Sequence, residues 1–413
     1  IIQAIDSHVD DAMEQAKNQP YNLTPENFNF DPVGNDQLLG IIYTSGTSGF
    51  SKGVMLSHNS LATNVWFGHH NIDLRPGDNI VSFLPLAHAY GCAFEFLTPF
   101  SMGCNINFLG RIPSPQIVLK AFSELRPKLV LSVPLIIEKI YKNQIKPALE
   151  KPIVQVLVHT PGLNKLIFNK IRKKLTTVFG ENFLEVIIGG AALNKDVEVF
   201  MRKIGFRFTI GYGMTECGPL ITYANWRENR NFSCGKAIPH VVVKIDSTDP
   251  ENVPGEILVK GENVLLGYYK NPEATAETID KDGWLHTGDM GVMDKDGFVY
   301  IKGRCKNMIL GASGQNIYPE EIEAKLNNMP FVMESLVVEK SGKLHALIVP
   351  DMDAVSAQGL SREQLEAEML TNQKQINTIL PSYMSITRLE LREEEFQKTP
   401  KKSIKRLDRK SVV

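Results

Sequence analysis

The chain has 413 residues, 45 Lys and Arg against 46 Asp and Glu, a net charge of -1 and 43% hydrophobic residues, a composition suited to two or three packed domains. Balanced charge provides no long-range attraction for polyanions, so nucleic acid is not an expected partner. The five scattered cysteines (Cys92, Cys104, Cys217, Cys234 and Cys305) form no C-x-x-C pair, which argues against a disulfide framework or zinc site and fits a reducing, cytoplasmic compartment.

Residues up to about Gly34 are polar and irregular and carry no readable chemistry. From Leu38 short apolar runs alternate with segments of helical period. Strands are expected at 38–43, 79–84, 129–133, 184–188 and 207–212, with helices at 60–70, 115–125, 135–143, 164–179 and 195–204. Such alternation implies a largely parallel sheet with helices on its faces, and open α/β sheets bind ligands at the C-terminal ends of their strands. After Cys234 brief β-rich runs separated by glycine and proline, with Asp296-Gly297 as a hairpin signal, read as an antiparallel β subdomain. Beyond Gly303 the pattern becomes α+β: a helix opened by Pro319, strands at 331–339 and 343–349, a helix from Ser361 and a strand at 386–391. The expected architecture is α/β. Residues 1–303 form a large domain with its β subdomain at about 235–303, and residues 304–413 form a small C-terminal domain.

Behind the first strand comes Tyr43-Thr44-Ser45-Gly46-Thr47-Ser48-Gly49-Phe50-Ser51-Lys52-Gly53. Three glycines allow tight turning, several hydroxyls add donors and Lys52 adds a cation, which together suit an anion. The stretch departs twice from the nucleotide loop G-x-x-x-x-G-K-[ST], with Ser51 at the second glycine position and Gly53 after the lysine. It is another kind of phosphate loop or a Ser/Gly-rich surface turn.

Further along, Gly211-Tyr212-Gly213-Met214-Thr215-Glu216 is expected at a strand end in the same sheet as that first loop. Tyr212 offers a flat face to a purine, Thr215 a hydroxyl to phosphate, and Glu216 the hard oxygen that Mg²⁺ prefers; a turn with a packed tyrosine is the other reading. Gly190, Ala191 and Ala192 form a loop of small residues against which a base can lie. Asp289 follows a tight turn, as a ribose acceptor would, and Arg304 suits either a fixed cation on the same nucleotide or, as is commoner, a solvated arginine at a domain junction.

In this order, with Leu84-Pro85-Leu86-Ala87-His88 after the first loop and Gly311-Ala312-Ser313-Gly314-Gln315-Asn316-Ile317-Tyr318-Pro319-Glu320-Glu321-Ile322-Glu323 after Arg304, the motifs resemble the adenylate-forming, AMP-binding enzymes. They look most like a long-chain fatty-acid CoA ligase, over about residues 38–406. The resemblance implies that MgATP and a fatty acid give acyl-AMP and pyrophosphate, after which coenzyme A displaces AMP. It also implies roles: Thr44, Ser45, Gly46, Thr47, Ser48, Gly49 and Lys52 on the pyrophosphate side, Thr215 at the α-phosphate and Glu216 at Mg²⁺. Gly190, Ala191, Ala192, Tyr212 and Gly213 would take the adenine, and Asp289 with Arg304 the ribose. His88 would lie near the acyl carboxylate and the thiol path. Lys306 would be the hinge of a mobile C-terminal domain, and Gly314 would belong to the loop that meets the pantetheine channel.

Two departures qualify the resemblance. The family's lysine in T-P-x-x-K is Ser403 here, so the neighbouring Lys402 is expected to substitute for it. Only about forty residues precede the phosphate loop where the family has a large subdomain, so a truncated chain is expected. An acyl-AMP ligase serving an acyl carrier protein, and a non-catalytic nucleotide- or acyl-CoA-binding relative, are the competing functions. Glu95 is the only acidic candidate for a substrate ammonium near residues 84–96, and flanking Phe94 and Phe96 favour an apolar acyl tail. Lys165, Lys170, Arg172, Lys173 and Lys174, interspersed with Leu166, Ile167 and Ile171, suit either peripheral contact with an inner membrane surface or a solvated helix face. A homodimer is a further expectation.

Overall fold

The computed structural model describes residues 32–45, 51–110, 114–160, 162–311, 315–398, 404 and 406. Residues 1–37 are one unit, in which Gln37 N–H closes a turn on the Gly34 carbonyl at 3.0 Å; residues 38–413 are a second, compact one. Thr47, Ser48, Gly46, Gly49, Gly314, Lys402 and Ser403 lie outside the described residues.

Within the second unit the expected α/β alternation is present. Val130–Ser132, Val186–Ile188 and Phe208–Ile210 are consecutive parallel neighbours, and Asn79–Ser82 pairs in parallel with Asn105–Phe108. A parallel bridge from Ile80 to Leu129 links the two sets. In the central strands both faces are covered, which is why Val186–Ile188 reads as an unbroken apolar run: Val130, Val186 and Ile188 are all essentially inaccessible. Helices Pro115–Leu125, Leu163–Val178 and Lys195–Lys203 pack Phe122, Leu175 and Met201 against one face. Each such buried side chain contributes about 1.5–3 kcal/mol relative to exposure.

The first strand departs from expectation. Leu38–Ser45 does not join the parallel sheet; it forms an antiparallel hairpin with Ser51–Ser57, onto which Gly267–Tyr268 adds a third strand. The physical reason is that residues 51–57 remain extended, their Val54 and Leu56 buried, before Ser57 caps helix His58–Asn71 through a reciprocal capping box with Ser60. Residues 46–50, between these two strands in the sequence, lie outside the described residues.

The β subdomain is a four-stranded antiparallel sheet in the order Val241–Asp246, Gly255–Gly261, Leu285–Met293, Val299–Arg304. Its final hairpin turns at Gly297, whose φ of +85° suits glycine. In the C-terminal part, helix Pro319–Leu326 packs on strands Val332–Lys340 and Lys343–Pro350, and Ile386–Leu391 adds in parallel. Ile322, Leu326, Ala346, Ile348 and Ile376 form its own core. This part touches the larger body where Lys142 pairs with Asp351 and where Asn328 bonds both Asn194 (2.5 Å) and Asp196 (2.8 Å). Among the described residues no helix is long and apolar enough to cross a membrane.

Candidate active site

Two of the expected binding loops emerge side by side. Val186–Ile188 and Phe208–Ile210 are adjacent, and Gly211 N–H bonds Ile188 O at 3.0 Å, so residues 189–192 and 211–216 leave neighbouring C-terminal strand ends. Gly190, at φ +90°, Ala191 and Ala192 are exposed there. Contrary to expectation, the 211–216 segment does not share a sheet with Leu38–Ser45, the strand that precedes the first loop. Instead Tyr212–Gly213 turns back on Leu220–Tyr223 in a separate small sheet. Gly213 permits this turn, since a Cβ would sit 2.2 Å from Pro219 O. Buried Asn64 pins the return, accepting Leu220 N–H at 2.9 Å and donating to Cys217 O at 3.3 Å.

Tyr212 is buried, and its hydroxyl donates to Asp289 Oδ2 at 2.8 Å. Arg304, directly opposite Asp289 in the strand register, reaches Oδ1 through Nε at 2.8 Å. Burial pushes the Asp289 carboxyl up, while Arg304 and the Tyr212 hydroxyl hold it down. Glu256 shapes the turn before it, accepting Gly288 N–H at 2.9 Å and facing His286 Nδ1 at 2.8 Å. The result is a carboxylate whose orientation is fixed on two sides.

Thr215 is buried at the start of the Thr215–Cys217 turn, and Glu216 beside it is half-buried. Glu216 Oε1 accepts the Tyr268 hydroxyl at 3.0 Å, and Lys52 Nζ lies 4.6 Å from the centroid of the Tyr268 ring. One side chain thus touches both the loop lysine and the expected metal ligand. Thr44 faces Lys52, and Ser45 faces Ser51, across the hairpin.

His88 is half-buried and opens the short helix Ala89–Gly91, its N–H bonded to Pro85 O at 2.9 Å. Beneath that loop Glu95 is 1% exposed and accepts Phe83 N–H (2.9 Å), Leu84 N–H (2.8 Å) and Ser82 Oγ (3.2 Å) on one oxygen. Sealed in this way it holds a strand end and does not face a substrate ammonium. Lys306 is exposed in the turn Cys305–Asn307. Lys398 and Ile404 form an antiparallel bridge, and Arg406 pairs with Glu323.

Tyr268, Glu256 and Asn64 were not singled out in the sequence. Their side chains act through partners 30 to 156 positions away, which no local spacing displays.

Residues 2–269 match the AMP-binding enzyme family, and residues 306–410 match the AMP-binding enzyme C-terminal domain. Long chain acyl-CoA synthetase 6, peroxisomal, of Arabidopsis thaliana is 32% identical over 356 residues, covering 79% of this chain and 50% of that protein. 4-Coumarate–CoA ligase 1 of Oryza sativa subsp. japonica is 32% identical over 327 residues, 75% of this chain and 52% of that one. The chain spans about half the length of the curated relatives it matches. ATP-bound MatB from Rhodopseudomonas palustris superposes with a TM-score of 0.70 at 27% identity over 92% of this chain and 69% of that one. With the motif-bearing loops carried on that shared fold and the match reaching from residue 2 to 269, the chain belongs to the AMP-binding enzyme family.

Proposed function

We propose that this chain is the core of an acid–thiol ligase. A carboxylate attacks the α-phosphorus of ATP, pyrophosphate leaves, and the thiolate of coenzyme A then attacks the acyl carbon and expels AMP. The carrying observation is the convergence of Lys52 and Glu216 on Tyr268, beside an Asp289 carboxylate fixed by Tyr212 and Arg304.

Negative charge shifts onto the departing pyrophosphate in the first step, so a lysine and loop donors placed beforehand stabilise the transition state more than the ground state. Thr44, Ser45 and the 46–49 backbone would hold that side with Lys52, and Thr215 the α-phosphate. Mg²⁺ fits the donor set: Glu216 supplies one hard oxygen, no cluster of three His, Cys, Asp or Glu occurs among the described residues, and Mg²⁺ commonly combines one carboxylate with phosphates and water. Bound at Glu216, it would neutralise phosphate charge. Asp289, with its carboxylate already oriented, would accept the ribose hydroxyls, and residues 190–192 with Gly213 would lie along the adenine. The 304–413 domain would turn about Lys306 between the two steps, bringing Lys402 to the first and Gly314 to the second, with His88 near the acyl carboxylate in both.

The acid we propose is a long-chain fatty acid. Relatives named for long-chain acyl groups support this, as does the sealing of Glu95, which removes the only local partner for an amino-acid ammonium. We place the enzyme in the cytoplasm, in peripheral contact with the inner membrane surface through exposed Leu166 (65%) and its neighbouring lysines; sedimentation with anionic vesicles tests that contact. The reaction is tested by thioester formation on coenzyme A and on an acyl carrier protein, across a series of acid chain lengths. A long-chain acyl-CoA product supports the proposal, and acylation of the carrier alone refutes it.

A further inference from the structure

We infer that Tyr268, which lies in none of the motifs read from the sequence above, is a positioning residue that holds Lys52 and Glu216 apart and oriented, its hydroxyl aiming the carboxylate and its ring seating the ammonium. The inference rests on the ligase reading above and concerns how its two charged groups are prepared.

The register dictates the contact with Lys52. Tyr268 sits opposite Val54, and Lys52, two residues earlier on the same pleat face, is therefore its diagonal neighbour. The backbone locks that register, with Tyr269 N–H on Gly53 O at 2.8 Å and Leu266 N–H on Met55 O at 2.9 Å. Glu216 is tied to the same strand segment, its carbonyl accepting Leu265 N–H at 2.8 Å. Tyr268 itself has little freedom: it is 6% exposed, and its N–H bonds Thr275 Oγ1 at 2.9 Å.

Opposite charges this near would otherwise collapse into a direct ion pair, in which each neutralises the other and neither serves phosphate or metal. Here each instead contacts Tyr268, Lys52 over its ring and Glu216 at its hydroxyl. The ring interposes a cation–π seat for the ammonium. The hydroxyl donates to Oε1 of Glu216 at 3.0 Å, and Oε2 would then take the cation. Outer-shell groups that orient a metal-binding carboxylate typically alter metal affinity by about 10–100-fold when lost.

The test is calorimetric binding of ATP, with and without Mg²⁺, to the unaltered protein, Tyr268→Phe, Tyr268→Leu, Glu216→Gln and the Tyr268→Phe/Glu216→Gln double variant. Tyr268→Phe keeps the ring and should raise the Mg²⁺ concentration needed for half-maximal enhancement of ATP binding about 10-fold, leaving metal-free ATP binding unchanged. Tyr268→Leu should weaken metal-free binding as well, because Lys52 loses its seat. In the Glu216→Gln background, Tyr268→Phe should add nothing to the metal dependence. If Tyr268→Phe binds ATP with unaltered Mg²⁺ dependence, or if both Tyr268 variants weaken binding equally in its absence, the inference is overturned while the ligase reading stands. Failure of the unaltered protein to bind ATP under either condition would overturn the ligase reading, and the inference with it.

Discussion

Replacing Glu95 by glutamine probes what anchors the loop that carries His88. In the folded protein one carboxylate oxygen accepts three donors from Ser82, Phe83 and Leu84, and the other has no partner among the described residues. Burial outweighs those bonds and pushes the carboxyl from its ordinary 4.5 up to about 8. The unfolded chain ionises this group above 4.5, so between pH 4.5 and about 8 the folded state binds the additional proton. Stability must then fall as pH rises through that window, by up to about 1.4 kcal/mol per pH unit, or about 4 kcal/mol between pH 5 and 8. Glutamine retains an acceptor for the backbone N–H groups and never ionises. Urea unfolding at pH 5, 6, 7 and 8 should show the unaltered protein losing up to about 4 kcal/mol more than Glu95→Gln, with the variant the more stable at pH 8. Parallel pH profiles for the two proteins would refute the reasoning.

Asp289→Asn removes the charge that Arg304 pairs with and should weaken ATP binding at least about 10-fold, since a charged hydrogen bond is worth about 1.5–3 kcal/mol; equilibrium dialysis with labelled ATP checks it. Gly213→Ala would place a Cβ 2.2 Å from Pro219 O and should lower unfolding free energy by about 1–3 kcal/mol in urea titrations, with unchanged stability as the contrary result. Asn328→Ala cuts both bonds to Asn194 and Asp196 and should change the ratio of the adenylation and thioester rates about 5-fold, whereas equal effects on both would tell against a rotating C-terminal domain.

Most of the element order was legible because strands buried on both faces leave unbroken apolar runs and helices carry end signals. Val186–Ile188, the Ser361 cap before Arg362–Ile379 and Pro319 at the first turn of its helix are examples. The pairing of Leu38–Ser45 was not legible. An apolar run followed by a glycine-rich loop describes a parallel strand before a helix and one arm of a hairpin equally well, and the decision rests with Gly267–Tyr268, more than 200 residues away. The same distance hides Tyr268 itself, which has no motif value until its strand is laid beside Ser51–Ser57. Asp289 and Arg304 were legible as a pair only in chemistry; their opposition across a hairpin follows from a bulge near Met290 that no composition signals. Glu95 was weighed as a candidate for a substrate ammonium, and backbone N–H groups, invisible in sequence, occupy it instead.

The central claim is that these loops activate a carboxylate with ATP. Exchange of labelled pyrophosphate into ATP tests it directly: the account predicts exchange that requires both Mg²⁺ and a fatty acid and collapses in Lys52→Ala, and it is contradicted by nucleotide binding without any acid-dependent exchange.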